Sequence, residues 1–168
     1  DYNCWGLWCY EGDKKRNVPP FNADAPHEFL PFHQALSLLA DGRGHGLSMN
    51  LNTIELVCVD LDHAKSDGAF NEMLDFADQF GWWEYSQSGD GIHAFVRDDE
   101  FGDDRRIKVD HGDYPFDIDL IGGGLLFMTG DCESDITHEI GNPDVWVEGL
   151  NEAQGKRKRK KAADLVPS

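Results

Sequence analysis

Positive charge is nearly missing from most of this 168-residue chain. Lys156, Arg157, Lys158, Arg159, Lys160 and Lys161 take up much of its basic content, leaving 9 basic against 31 acidic residues over positions 1–155. Such a body has no general basic surface for nucleic acid, whose phosphates are normally met by lysine and arginine. It also repels itself, a cost that becomes tolerable where concentrated salt shortens the screening length to about 3 Å. A halophilic source is the expectation that follows. No apolar run is long enough to span a bilayer, and no segment has the build of a signal peptide. The chain is therefore expected to be cytoplasmic and to have no membrane partner. Cysteine is sparse: Cys4, Cys9, Cys58 and Cys132 form no C-x-x-C pair and have no histidine at zinc spacing, so they read as reduced thiols. The sequence opens on Asp1 and runs almost at once into a strand-like aromatic segment, so it is read as a fragment whose true start lies upstream.

The length suits one compact domain, or two small subdomains sharing a core. Positions 1–150 read as that domain and 151–168 as a polar, then basic, tail or linker. Trp5 to Tyr10 has the pattern of a first strand. From Pro31, Phe32, Ala35, Leu36 and Leu39 recur at helical spacing until Asp41-Gly42. Gly46 to Leu51 and Thr53 to Asp62 read as two strands of one hairpin. A helix starting near Ser66-Asp67 carries Phe70, Met73, Leu74, Ala77 and Phe80 on one face and stops at Gly81. Further strands are expected at Trp83 to Ser86, Ile92 to Arg97, Tyr114 to Ile121 and Leu125 to Thr129. The fold class is α/β in the α+β sense, with a mixed, largely antiparallel sheet flanked by helices.

The apolar run Leu56-Val57-Cys58-Val59 ends in Asp60-Leu61-Asp62. Side chains two apart on a strand share a face, so Asp60 and Asp62 point the same way. Adjacent carboxylates at the end of a buried strand repel each other and lose hydration, a cost commonly offset by divalent cations. Asp117 and Asp119 repeat the pattern in Phe116-Asp117-Ile118-Asp119-Leu120-Ile121. An acidic group from this neighbouring strand would complete a site of the kind magnesium prefers, with carboxylates, phosphates and water as ligands. Between the two lies Ser86-Gln87-Ser88-Gly89-Asp90-Gly91-Ile92-His93. Its glycines allow consecutive amides to face an anion and its serines add donors, a cradle suited to a triphosphate.

In this order the motifs resemble those of the archaeo-eukaryotic primase superfamily, in its phage- and plasmid-borne primase-polymerase branch. Val59-Asp60-Leu61-Asp62 is similar to the family's h-D-h-D, Ser86 through His93 to its S-x-S-G-x-G-h-H, and Asp119 through Gly130 to its acidic strand ending in T-G. Trp5-Gly6-Leu7-Trp8 with Lys14, Lys15 and Pro19-Pro20 resembles the opening of such domains, so the likeness runs from about Trp5 to Gly130. The resemblance implies a primase-polymerase catalytic core of two subdomains around a cleft, acting as a DNA primase, DNA polymerase or both in replication of a virus, plasmid or integrated element. It implies that Asp60, Asp62 and Asp119 hold two Mg2+ or Mn2+ ions. Ser88, Gly89, Asp90, Gly91 and His93 would bind the nucleotide, with His93 a phosphate ligand. The partners implied are a DNA template, nucleoside triphosphates and a helicase domain or protein.

The chain departs from the family pattern in two places. Relatives usually carry glutamate where Asp119 stands, with Asp117 the alternative by register, and an arginine shortly before T-G. Arg97, Arg105, Arg106 and Lys108 are the candidates to replace that arginine. Trp82, Trp83 or another aromatic could add base stacking that the acidic body otherwise lacks. Two rivals stand beside this reading: a metal-dependent nuclease, and a catalytically silent replication-initiator or DNA-binding module.

Overall fold

The computed structural model describes residues 2–97, 107–109, 114–133 and 140. The strands are β1 (Trp5–Glu11), β2 (Lys14–Asn17), β3 (Gly46–Asn50), β4 (Leu56–Asp62), β5 (Trp83–Tyr85), β6 (Ile92–Arg97), β7 (Ile107–Val109), β8 (Asp117–Ile121) and β9 (Leu125–Phe127). Two helices, α1 (Phe32–Ala40) and α2 (Asp67–Asp78), complete an α+β fold. The strands form a four-stranded sheet in the order β2-β1-β3-β9 and a five-stranded sheet in the order β5-β6-β4-β8-β7. Every pairing among the described strands is antiparallel.

Helix α2 follows from its sequence. Ser66 accepts a hydrogen bond from the Ala69 amide at 3.2 Å, satisfying one of the first-turn donors that a helix leaves open. Met73, Phe76 and Ala77 then fall on one buried face, and Gly81 follows with φ 85°, a backbone state glycine adopts at little cost. That face packs on Val57, Val59 and Leu61 of β4, Ala94 of β6 and Ile118 of β8, which form the largest core cluster. Alternation along β4 sends Cys58, Asp60 and Asp62 to the opposite face. The four-stranded sheet covers only part of that face: Met49 and Leu126 join Cys58 and Phe95 in a second cluster. Asp60 and Asp62 lie further along β4, beyond this apolar contact.

The expected hairpin of β3 and β4 does not form. β3 pairs with β1 and β9, whereas β4 pairs with β6 and β8. A 3-10 turn over Leu51–Thr53 carries the chain from one sheet to the other. Its asparagines bind other segments: Asn50 and Asn52 both donate to the Ala23 carbonyl at 3.2 Å, and Asn52 Oδ1 accepts from the Gly124 amide at 2.9 Å. The turn is thereby fixed as a crossover. In β1, Trp8 stands opposite Gly46, where any added Cβ would come within 2.5 Å of the indole nitrogen. The glycine lets the ring lie flat over β3.

Candidate active site

The register of the five-stranded sheet sets Glu84 opposite His93, His93 opposite Asp60, Asp60 opposite Asp119, and Asp119 opposite Lys108. Five polar side chains thus form one row across five strands, on the face turned away from α2. Directly opposed residues of antiparallel strands have Cα atoms about 4.5–5.5 Å apart. The next polar rung sets Asp62 opposite Asp117. The four aspartates of the two Asp-x-Asp strands come together on two adjacent rungs.

Burial is graded along the row. The Glu84 side chain is fully buried, while His93 and Asp60 keep 11% and 16% of their exposure. His93 Nδ1 lies 3.0 Å from Glu84 Oε1, and Nε2 lies 3.8 Å from Asp60 Oδ1. Glu84 also accepts from the Thr129 amide at 3.1 Å and the Gly130 amide at 2.8 Å. Thr129-Gly130, the T-G step of the motif, therefore reaches the row through Glu84. Sequence reasoning missed Glu84, although a charge inside Trp82-Trp83-Glu84-Tyr85 was the available signal. His63 is a further residue at the site. Its backbone has φ 55°, its Nδ1 lies 3.1 Å from Asp117 Oδ2, and its Nε2 lies 3.7 Å from Asp62 Oδ2, so it bridges the second rung.

The serine-glycine loop is joined to the same strand end. A Cβ on Gly91 would stand 2.9 Å from the Leu61 carbonyl and 3.3 Å from Asp62 Oδ1, so only glycine lets the loop lie against the end of β4. Gly89 has φ 81° and donates its amide to Ser86 O at 2.9 Å. Ser88 Oγ is 3.0 Å from Ser86 Oγ and donates to the Asp90 carboxylate. Asp90 thus shapes the loop by holding Ser88. Gln87 reaches back to the other sheet, donating to the Phe127 carbonyl at 3.2 Å and accepting from Lys15 Nζ.

Of the basic candidates among the described residues, Lys108 is the one placed beside the row, as the cross-strand neighbour of Asp119. Arg97 pairs with Leu56, four positions along β6 from His93, which at about 3.3 Å per residue puts it roughly 13 Å away. Arg105, Arg106 and the 151–168 tail lie outside the described residues. Trp83 is 2% exposed and belongs to the core. Trp82 is half-buried, packs on Phe95 at 5.2 Å, and lines a cleft of about 720 Å³ with Trp8, Tyr10, Phe32, His45 and Ser88. Aromatic rings and the serine-glycine loop therefore share one opening between the sheets.

Among the described residues, no three histidine, cysteine, aspartate or glutamate side chains already converge as a coordination group. Carboxylate oxygens are the donors a hard divalent cation prefers, and Asp60, Asp62, Asp117 and Asp119 stand at facing positions on two strands. Compared with family models and with curated proteins, the chain matches none. Among the described residues, no helix is long and apolar enough to cross a membrane.

Proposed function

We propose that the chain is a template-directed nucleotidyltransferase, a DNA primase or DNA polymerase resembling the primase-polymerase branch of the archaeo-eukaryotic primases. The observation that carries the reading is the rung Asp60–Asp119, in which carboxylates far apart in sequence are direct neighbours at the edge of a glycine-built loop. A nuclease would need the carboxylates alone. The serine-glycine loop, the histidine and the aromatic cleft beside them favour a triphosphate substrate.

Asp60, Asp62 and Asp119 would hold Mg2+ or Mn2+, with Asp117 beside Asp62 on the second rung. When bound, these ions would activate a 3'-hydroxyl for in-line attack and neutralise the departing pyrophosphate. The chain's own residues orient the substrate. Ser88 exchanges its bond to Asp90 for one to a phosphate oxygen, and the Gly89–Gly91 turn lets the phosphates approach the backbone closely. His93 presents Nε2 from within the row, and Lys108 adds a positive side chain at its far end. Trp82 and the other rings of the cleft offer faces on which bases stack, a contact worth about 1–3 kcal/mol per base that needs no cation from the protein. Such a contact suits a body with so few basic side chains.

The test supplies primed and unprimed DNA templates with ribo- or deoxyribonucleotides and Mg2+ or Mn2+ at high salt. Template-dependent products are expected from the wild type and are expected to vanish in Asp60→Asn and Asp62→Asn. Full synthesis by both folded variants would refute the proposal. Degradation of DNA with no triphosphate requirement would replace it with a nuclease, and tight DNA binding indifferent to metal and nucleotide with a recruitment module.

A further inference from the structure

We infer that Glu84 is a positioning residue for His93: it accepts the hydrogen bond of the ring's Nδ1–H and so leaves Nε2 as the nitrogen turned toward Asp60. The significance for nucleotide binding rests on the function proposed above; the ring geometry does not.

Glu84 is fully buried, and a buried carboxylate persists where its oxygens are met by donors. Gly130 N lies 2.8 Å from Oε2, and Thr129 N lies 3.1 Å from both oxygens. These donors are themselves fixed. Thr129 Oγ1 donates to the Tyr85 carbonyl at 2.6 Å, and the Tyr85 amide donates to the Asp131 carbonyl at 2.7 Å, so the segment after β9 is strapped along β5. Glu84 therefore has little freedom to turn. Its Oε1 faces His93 Nδ1 at 3.0 Å, and an ionised carboxylate offers only acceptors, so Nδ1 must carry the proton. The same buried contact holds the ring plane, with Nε2 3.8 Å from Asp60 Oδ1. A histidine that serves a ligand through one nitrogen commonly has its tautomer set by a carboxylate on the other. Here that carboxylate comes from the neighbouring strand, and the strap from the four-stranded sheet locks it.

Glu84→Gln keeps the shape and reverses the instruction. With its carbonyl oxygen toward Gly130 N, the new amide group would point at Nδ1 as a donor, and the ring proton would move to Nε2. The full chain labelled with 15N-histidine gives long-range nitrogen–proton spectra that separate the two states, and the signals missing from His93→Gln identify this ring among the seven histidines. A proton at Nδ1 is expected in the wild type, and a bare Nδ1 in Glu84→Gln with an otherwise unchanged amide spectrum. A wild-type ring with a bare Nδ1 overturns the inference even if the variant does not fold, as does an unchanged Nδ1 proton in a folded variant. On the same samples, binding of a deoxynucleoside triphosphate with Mg2+ is expected to weaken about tenfold in Glu84→Gln. Unaltered binding would remove the positioning role. A wild type that binds no triphosphate would instead end the functional proposal, with the spectra still deciding what Glu84 does to the ring.

Discussion

Asp60 of β4 and Asp119 of β8 are direct cross-strand partners on the face of the sheet opposite α2. Any cation that relieves the crowding of their charges binds the folded state alone, because the unfolded chain has no such pair. Saturating Mn2+ should therefore stabilise the wild type by about 2.7 kcal/mol at a hundred times its dissociation constant. Asp119→Asn should lose most of that gain. Urea unfolding followed with chelator and with Mn2+ measures both.

The Gly91 contact makes a second prediction. An added methyl would meet the Leu61 carbonyl at 2.9 Å and Ser86 Oγ at 2.9 Å, and backbone cannot yield as a side-chain end can. Gly91→Ala should cost about 1–3 kcal/mol of stability and push the loop off the end of β4. Triphosphate binding should fall along with it. Denaturation and an equilibrium binding titration check the pair, whereas a neutral variant would show that the loop is not held against the end of β4.

Lys108 is exposed, so Lys108→Gln should leave stability within about 0.5 kcal/mol. If it stands in for the missing arginine at the row's far end, KM for the nucleotide should rise several-fold and kcat should change less. Arg97→Gln is the control and should change neither, since Arg97 lies opposite Leu56.

The thiols give a prediction independent of function. Cys4 is buried and its pKa is pushed from 9.0 up to about 11 by loss of hydration, while Cys132 is exposed. At pH 8 a thiol reagent should modify Cys132 readily and Cys4 only on unfolding. Because the folded thiol holds its proton more tightly than the unfolded one, Cys4 contributes fully below pH 9 and loses its contribution as pH rises through 11. Cys4→Ala should flatten stability against pH in that window.

Much of this was readable in the residues, for reasons that differ by element. The Asp60–Asp62 pair was visible because an apolar strand ending in two charges is costly without a role, and α2 because its cap, stripe and stop agree. The paired rung itself was not readable, since alternation gives the face a residue takes but not its partner strand. The β3–β4 hairpin misled because Asn50-Leu51-Asn52 has turn chemistry, while the bonds that make it a crossover go to Ala23 and Gly124. β7 was missed because three residues carry too little periodicity. Glu84 passed unnoticed because its partners, Thr129 and Gly130, contribute backbone amides, which have no sequence signature.

The row of side chains is tested most directly by Mn2+ paramagnetic resonance titrations with and without a deoxynucleoside triphosphate, on the wild type, Asp60→Asn and Asp119→Asn. The account predicts Mn2+ bound by the wild type, bound more tightly with the nucleotide present, and lost at least tenfold in each variant. Mn2+ and nucleotide bound equally well by all three folded proteins would contradict it.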